Sequence, residues 1–342
     1  MKRNVLFVIS IMAMLCLGCE PNEPTLSKKV ETGIAKNITP VSVFLSGTLH
    51  IELSDYKNVE YGFMFSKNKS DINTNEINLN KTFIVNRINQ GKYFTLEVDD
   101  LEPSTKYYYR AFVYLNNKRY ELGGVNEFKT LGISENPNMV IEYENGYGYV
   151  NLGLSVKWAF CNIGANLPEE YGDCFAWGET ETKHNYSWDN YRLASGDRTS
   201  LKKYCTDINF SFWARIDNKT TLELEDDAAN KNWGGKWRIP TRTEADELRK
   251  KCYWKWVSQN GIYGYKVISI INGNYIFIPA AGGYTWHGDS FRYEIQKSGW
   301  YWSSSLAPNA PCSAYGLYFT ATSVGEFSSN RDLGYSIRPV CP

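Results

Sequence analysis

Four stretches of the first 130 residues alternate apolar and polar positions or are dense in β-branched and aromatic residues: Val41 to Leu45, Val59 to Phe65, Tyr93 to Val98 and Tyr107 to Tyr114. A side-chain period of two belongs to a strand with one buried face, so the pattern predicts sheet here. Turns rich in Asn, Gly and Asp separate the four. A different period governs the chain near residue 245. Ala245, Leu248 and Cys252 recur at helical spacing, preceded by Thr241 and Glu244 as a T-x-x-E capping box. Pro240 cannot donate to a preceding strand, so a helix is predicted to begin at Thr241. Glu244, Asp246 and Glu247 suit the positive end of its dipole, and Lys250 and Lys251 the negative end.

The chain opens with Lys2 and Arg3, followed by an apolar run from Val5 to Leu17. That run is too short to cross a hydrocarbon core of ~30 Å as a helix. Basic, then apolar, then small residues make it a secretory signal over residues 1–18. Its Leu17-Gly18-Cys19 end resembles the lipobox of bacterial lipoproteins, with Cys16 where leucine usually stands three before the modified cysteine. The resemblance implies lipidation at Cys19 and an anchor in the bacterial outer membrane, with the protein at the cell surface. Residues 19–30 then read as a tether that lets the protein stand off the membrane.

What remains is length for about two domains. All 11 tryptophans, from Trp158 to Trp302, fall after residue 150, as do all cysteines beyond Cys19. The polar, Gly- and Pro-bearing stretch within residues 132–147 is expected to link the two units. Lysine plus arginine equals aspartate plus glutamate, 37 each. Without a basic excess there is no phosphate-neutralising footprint, which argues against nucleic acid as a partner. Cys161, Cys174, Cys205, Cys252, Cys312 and Cys341 make an even number in an exported chain, so disulfides are expected, although six cysteines permit about 15 connectivities.

Leu101-Glu102-Pro103-Ser104-Thr105-Lys106-Tyr107 and the closing Phe128-Lys129-Thr130 resemble the fibronectin type III family, in which leucine, proline and a corner tyrosine fix the entry to a central strand. This implies a β-sandwich over residues 31–131 that spaces and presents other domains. In the second half, Val150-Asn151-Leu152-Gly153-Leu154-Ser155-Val156-Lys157-Trp158, Phe175-Ala176-Trp177-Gly178-Glu179, Asn232 to Glu244, Gly299-Trp300-Tyr301-Trp302-Ser303-Ser304-Ser305 and Ser336-Ile337-Arg338-Pro339-Val340 stand in one order. The set resembles the Fibrobacter succinogenes major paralogous domain over residues 148–342. The implied fold is α+β and C-type lectin-like. By the same resemblance Cys252 and Cys341 are expected to bridge helix and last strand, and Cys174, which stands where the family commonly has an aromatic, is expected to pair with Cys312, which also looks added.

The densest motif is Asn232-Trp233-Gly234-Gly235-Lys236-Trp237-Arg238-Ile239-Pro240-Thr241-Arg242-Thr243-Glu244. It reads as a joint. The glycine pair allows a tight turn, Trp233 and Trp237 carry the apolar area to pin it, and Arg238 is expected to buttress Asp226 or Asp227. Those acids equally suit the first turn of a short helix through Ala229.

Catalytic patterns are sparse. His50, His184 and His287 are spread over both halves, so a histidine-built zinc site is not expected. There is no C-x-x-C pair, and His287-Gly288-Asp289-Ser290 fails the G-x-S-x-G hydrolase pattern because Arg292 stands where glycine is needed. Glu20-Pro21-Asn22 and Trp188-Asp189-Asn190 echo the calcium motifs of sugar-binding lectins but stand in the wrong places, so no metal and no cofactor are expected. A formylglycine-generating-type oxidase has a related fold and is a remote alternative, with Cys341 near Arg338 as its echo.

The candidate site is the 16-residue segment 283–298, by resemblance the long ligand loop of lectin-like folds. Loops of this length tend to be functional or disordered. Tyr284, Trp286 and Tyr293 offer flat apolar faces beside Asp289, Arg292 and Glu294, a mix suited to a sugar or a protein surface. The expectation is a non-enzymatic, lipid-anchored surface protein whose second domain binds an extracellular glycan or protein. The alternative is a structural or adhesive subunit of a surface assembly.

Overall fold

A computed structural model describes residues 29–73, 82–84, 92–115, 119–284 and 292–342. The signal, Cys19 and most of the tether lie outside these residues. Strands β1 (Val30–Thr32), β2 (Val43–Leu49) and β5 (Tyr93–Val98) form one antiparallel sheet. β3 (Val59–Ser66), β4 (Thr82–Ile84), β6 (Lys106–Leu115), β7 (Arg119–Leu122) and β8 (Asn126–Lys129) form the other, in the order β4-β3-β6-β7 with β8 also on β6. A short helix, α1 (Lys69–Ile72), follows β3. Val43, Leu45, Phe63, Phe94, Tyr109 and Val113 meet in one core between the sheets, which makes this unit a β-sandwich. At its corner the buried Tyr107 hydroxyl accepts the Glu102 N–H at 2.9 Å, tying the entry of β6 to the turn before it.

No sheet is shared between this unit and the strands that follow, among the described residues. The connecting segment is not slack. Asn136 donates its backbone N–H to Gly273 O at 2.8 Å and its side chain to Asn274 Oδ1 at 2.7 Å, and β9 (Glu142–Glu144) lies within the stretch expected as a linker.

β9, β10 (Tyr147–Val150), β11 (Lys157–Ala159) and β20 (Val340–Cys341) form a four-stranded sheet that brings the end of the chain beside the start of the unit. β13 (Cys252–Gln259), β14 (Ile262–Ser269) and β15 (Tyr275–Pro279) form an antiparallel meander. A five-stranded sheet runs β12-β19-β16-β17-β18, with β12 at Cys174–Phe175, β16 at Ser298–Leu306, β17 at Ser313–Thr320, β18 at Ser323–Asn330 and β19 at Tyr335–Ser336. Two helices, α2 (Ala228–Trp233) and α3 (Arg242–Lys251), lie between β12 and β13.

Arg338 holds these layers together from inside. Its side chain is 2% exposed, and no carboxylate meets it among the described residues. Instead Nε donates to Asn162 Oδ1 at 2.8 Å, Nη1 to Ala159 O at 3.1 Å and Phe160 O at 2.7 Å, and Nη2 to Phe277 O at 2.9 Å. The Asn162 amide reaches on to the Tyr301 hydroxyl at 3.2 Å, which donates to Pro279 O at 2.7 Å. One guanidinium thus satisfies carbonyls of β11, β15 and the strand exit between them.

Candidate functional site

The stretch from Asn232 to Glu244 folds as a brace. Asp227 caps α2 by accepting Ala229 N at 2.9 Å and Asn230 N at 3.1 Å, and its other oxygen accepts Ile239 N at 2.8 Å. The chain reverses at Gly234 (φ 66°) and Gly235 (φ 57°), where a side chain at 235 would press on Glu144 and Asn145. Trp237 is wholly buried and donates Nε1 to Glu144 O at 2.8 Å. Trp233 stacks on Tyr147 at 4.2 Å and meets Trp237 edge-on at 5.0 Å. Pro240 then leads into Thr241, whose hydroxyl accepts Glu244 N at 3.3 Å while Glu244 Oε2 accepts Thr241 N at 2.8 Å, the two halves of a capping box.

Arg238 pairs with Glu244, not with Asp226 or Asp227. Its two terminal nitrogens donate to the two oxygens of Glu244 at 2.7 and 2.6 Å. The expected partners are already engaged, Asp227 by three backbone N–H groups and Asp226 by Lys203 Nζ at 2.6 Å and the Tyr204 hydroxyl at 2.7 Å. Burial works against charge on Glu244, but the Arg238 fork and the Thr241 N–H outweigh it and hold the carboxyl below its ordinary range. Arg238 and Glu244, the ion pair at the heart of the motif, are spent on bracing.

The roots of segment 283–298 are locked to the same framework. Gly282 N donates to Ser298 O at 2.9 Å, Gly283 and Tyr293 exchange both backbone bonds at 2.8 and 3.1 Å, and Tyr284 N donates to Gly334 O at 2.8 Å. Glu294 turns back on its own loop, where Oε2 accepts the Ser298 hydroxyl at 2.6 Å, and its left-handed φ of 57° tightens that turn. Tyr284 stacks on Tyr186 at 5.0 Å, so part of its face is used internally. The Arg292 guanidinium lies 5.9 Å from the Tyr284 ring centre and donates to Gly172 O. The structure therefore brings Tyr284, Arg292, Tyr293 and Glu294 together at the loop base. Trp286 and Asp289 lie outside the described residues.

The cysteines correct an expectation. All six are free thiols, so neither the Cys252–Cys341 nor the Cys174–Cys312 bridge is present. Cys252 pairs in register with Ser269 in the meander and Cys341 with Lys157 in the four-stranded sheet, which commits the two to different sheets. Cys174 faces Ser336 across its own ladder. Burial pushes the Cys174 thiol up to about 11 and that of Cys252 up to about 12, and raises Cys161, Cys205 and Cys341 as well. A nucleophilic thiol needs the opposite shift. In a titration with a thiol-reactive dye, Cys312, the one half-buried member of the six, should react first, and the other five only on unfolding. Fast reaction of two or more in the native protein would contradict this packing.

Glu223, Glu225 and Asp226 place one oxygen each close enough together to hold a metal ion. Lys203 Nζ already sits among them, 2.6 Å from Glu223, 2.5 Å from Glu225 and 2.6 Å from Asp226, so the cluster carries its own cation.

A second surface was not singled out from the sequence. Between β12 and α2 the chain runs through an irregular excursion from which Phe212 (45% exposed) and Trp213 (59% exposed) project side by side, 4.6 Å apart and edge-on. Beneath them lies a groove of about 580 Å3 lined by Trp213, Ile216, Arg192, Lys202, Arg215 and Lys219. The available signal was adjacency, an aromatic pair followed within two residues by arginine in a stretch free of strand or helix periodicity.

Comparison with known proteins adds little. No family model and no curated protein matches the chain. Among solved structures, the sensor domain of the anti-sigma factor RsgI4 in Pseudobacteroides cellulosolvens is similar to part of it at 18% identity, covering 32% of this chain and all of that one with a TM-score of 0.24. A fibronectin type III domain derived from the human KIAA0970 protein aligns at 15% identity over 34% of this chain and 86% of its own, with a TM-score of 0.23. A PhoD structure aligns at 21% identity over 34% of this chain and 22% of its own, with a TM-score of 0.22. These superpositions fall too low to bear on function.

Proposed function

We propose that this is an exported, lipid-anchored surface protein whose second unit, a C-type lectin-like domain of the Fibrobacter succinogenes major paralogous type, binds an extracellular glycan or protein through segment 283–298. The β-sandwich serves as a fibronectin type III-like spacer between the anchor at Cys19 and that domain. The observation that carries this reading is a division of labour. Arg238 and Glu244 of the Trp-rich motif are consumed by each other, while three sets of backbone bonds clamp the roots of segment 283–298 to the framework. Tyr293 and Arg292 remain only half-buried at that base. Aromatic rings fixed beside hydrogen-bonding groups suit recognition of a sugar or protein face.

A glycan array probed with the full chain tests this. Binding should fall by about tenfold or more in Trp286→Ala and Tyr293→Ala, as for residues at the centre of a contact. Silence on the array together with a stoichiometric copurifying surface protein would favour the adhesive-subunit reading. Silence on both counts would remove segment 283–298 as a binding site.

A further inference from the structure

We infer that the groove under Trp213 is a separate binding site for an anionic oligosaccharide, one whose sugar rings carry carboxylate or sulfate groups. It lies on the excursion between β12 and α2, independent of segment 283–298, so the two readings stand or fall separately.

Its charge is the first argument. Five cations reach the groove: Arg192, Lys202, Lys203, Arg215 and Lys219. Lys203 is held by its three carboxylates, and Lys219 pairs with Glu223 at 2.6 Å. Arg192, Lys202 and Arg215 are exposed and make no ion pair among the described residues. The one acid of the lining, Asp217, makes no ion pair with them. Its oxygens accept the backbone N–H groups of Tyr204 at 2.7 Å, Cys205 at 2.9 Å and Lys219 at 3.2 Å. Counting Asp217 and the three carboxylates on Lys203, the positive excess around the cleft is small, but Arg192, Lys202 and Arg215 are the groups whose charge is left to meet an incoming anion.

The second argument is how Trp213 is held. A turn closes on itself beneath it. Arg215 N donates to the Ser211 hydroxyl at 3.0 Å, and Phe212 N to Leu201 O at 2.9 Å. Ala214 takes a left-handed φ of 51°, unusual for a residue with a side chain. The turn fixes the indole at its apex, pointing out of the core, with Phe212 against its edge. A large apolar ring kept in water by ordered backbone costs free energy that burial would recover.

These features together select the ligand class. A pyranose ring presents a flat face of C–H groups that can lie on an indole, while carboxylate or sulfate groups at its rim reach outward to arginine and lysine. An acidic peptide supplies the charge without the flat face, and a neutral glycan supplies the face without the charge. The volume, about 580 Å3, falls within the range of about 300–1,000 Å3 usual for small-ligand clefts.

Isothermal titration of the full chain with a galacturonic acid hexamer, a heparin hexasaccharide, cellohexaose and a poly-glutamate peptide tests the assignment. The expected result is binding of at least one of the two anionic sugars, weakened by added salt, with cellohexaose and poly-glutamate much weaker. Preference between the two sugars identifies carboxylate or sulfate as the recognised group. Trp213→Ala and the double variant Arg192→Gln/Lys202→Gln should each lose about tenfold in affinity. The double variant Lys36→Gln/Lys129→Gln, which removes the same charge from exposed positions of the β-sandwich, should bind as the parent does. Thermal melting of each variant separates lost binding from lost folding. No binding of either anionic sugar, or binding matched by poly-glutamate and indifferent to Trp213→Ala, overturns the inference.

Discussion

Arg338→Met should unfold the second unit far more readily than any surface change, with a loss of about 3–5 kcal/mol in denaturant titration of the full chain. The reason lies in what the substitution leaves behind. Methionine fills much of the space but donates nothing, so the carbonyls of Ala159, Phe160 and Phe277 and the Asn162 side-chain oxygen all lose the donor that meets them in the interior. Each orphaned buried acceptor costs about 1–3 kcal/mol before any relaxation, and relaxation would have to move β11, the segment after it and β15 together. Arg338→Lys should recover only part of the loss, because an ammonium cannot reach acceptors that a planar fork spans in several directions. Burial already opposes the charge on Arg338, lowering its affinity for the proton. Stability within about 0.5 kcal/mol of the parent in Arg338→Met would show that these carbonyls find other partners.

That network also marks where sequence reading runs out. The start of α3 is legible at Thr241 because a capping box is local, two side chains closing on two N–H groups within one turn. The strands of the sandwich are legible because alternation is local too. Predicted spans at 59–65, 93–98 and 107–114 lie within β3, β5 and β6 as observed. Arg238 shows the opposite case. Its motif pointed to a carboxylate partner, Asp226 or Asp227, but both acids were already claimed and the half-buried pair formed with Glu244. The disulfide expectation failed similarly, since an even cysteine count says nothing of the sheet to which each strand commits. Segment 283–298 stood out by length, whereas the Trp213 groove did not. Ile208, Phe212, Trp213 and Ile216 are apolar enough to read as core, and only the assembled domain shows them at 43–59% exposure.

Asp332→Asn should shift stability in a pH-dependent way, which separates a charge effect from simple loss of packing. Asp332 is 2% exposed, and its Oδ1 has no hydrogen-bond partner among the described residues. Burial is the main cause that raises its carboxyl from 3.8 to about 6. The nearby Glu179 adds to the rise, while its own backbone N–H and Lys183 oppose it. Lys183 cannot cancel the effect because it is already paired with Glu179 at 2.6 Å. A folded-state value above the unfolded one means that Asp332 costs nothing below about pH 4, where the group is neutral in both states. As pH rises through about 6 the folded protein must carry a buried charge that the unfolded chain carries in water, and stability falls by on the order of 2–3 kcal/mol. The amide of asparagine never ionises. The stability difference between variant and parent should therefore move in the variant's favour by that amount between pH 4 and pH 7, whatever its value at pH 4. Asp227, also raised to about 6 by burial, keeps its own contribution in both proteins and drops out of the difference. The same holds for Glu244, whose lowered value acts in the opposite direction. A difference that stays flat from pH 4 to pH 7 would mean that the Asp332 charge is fully compensated where it sits.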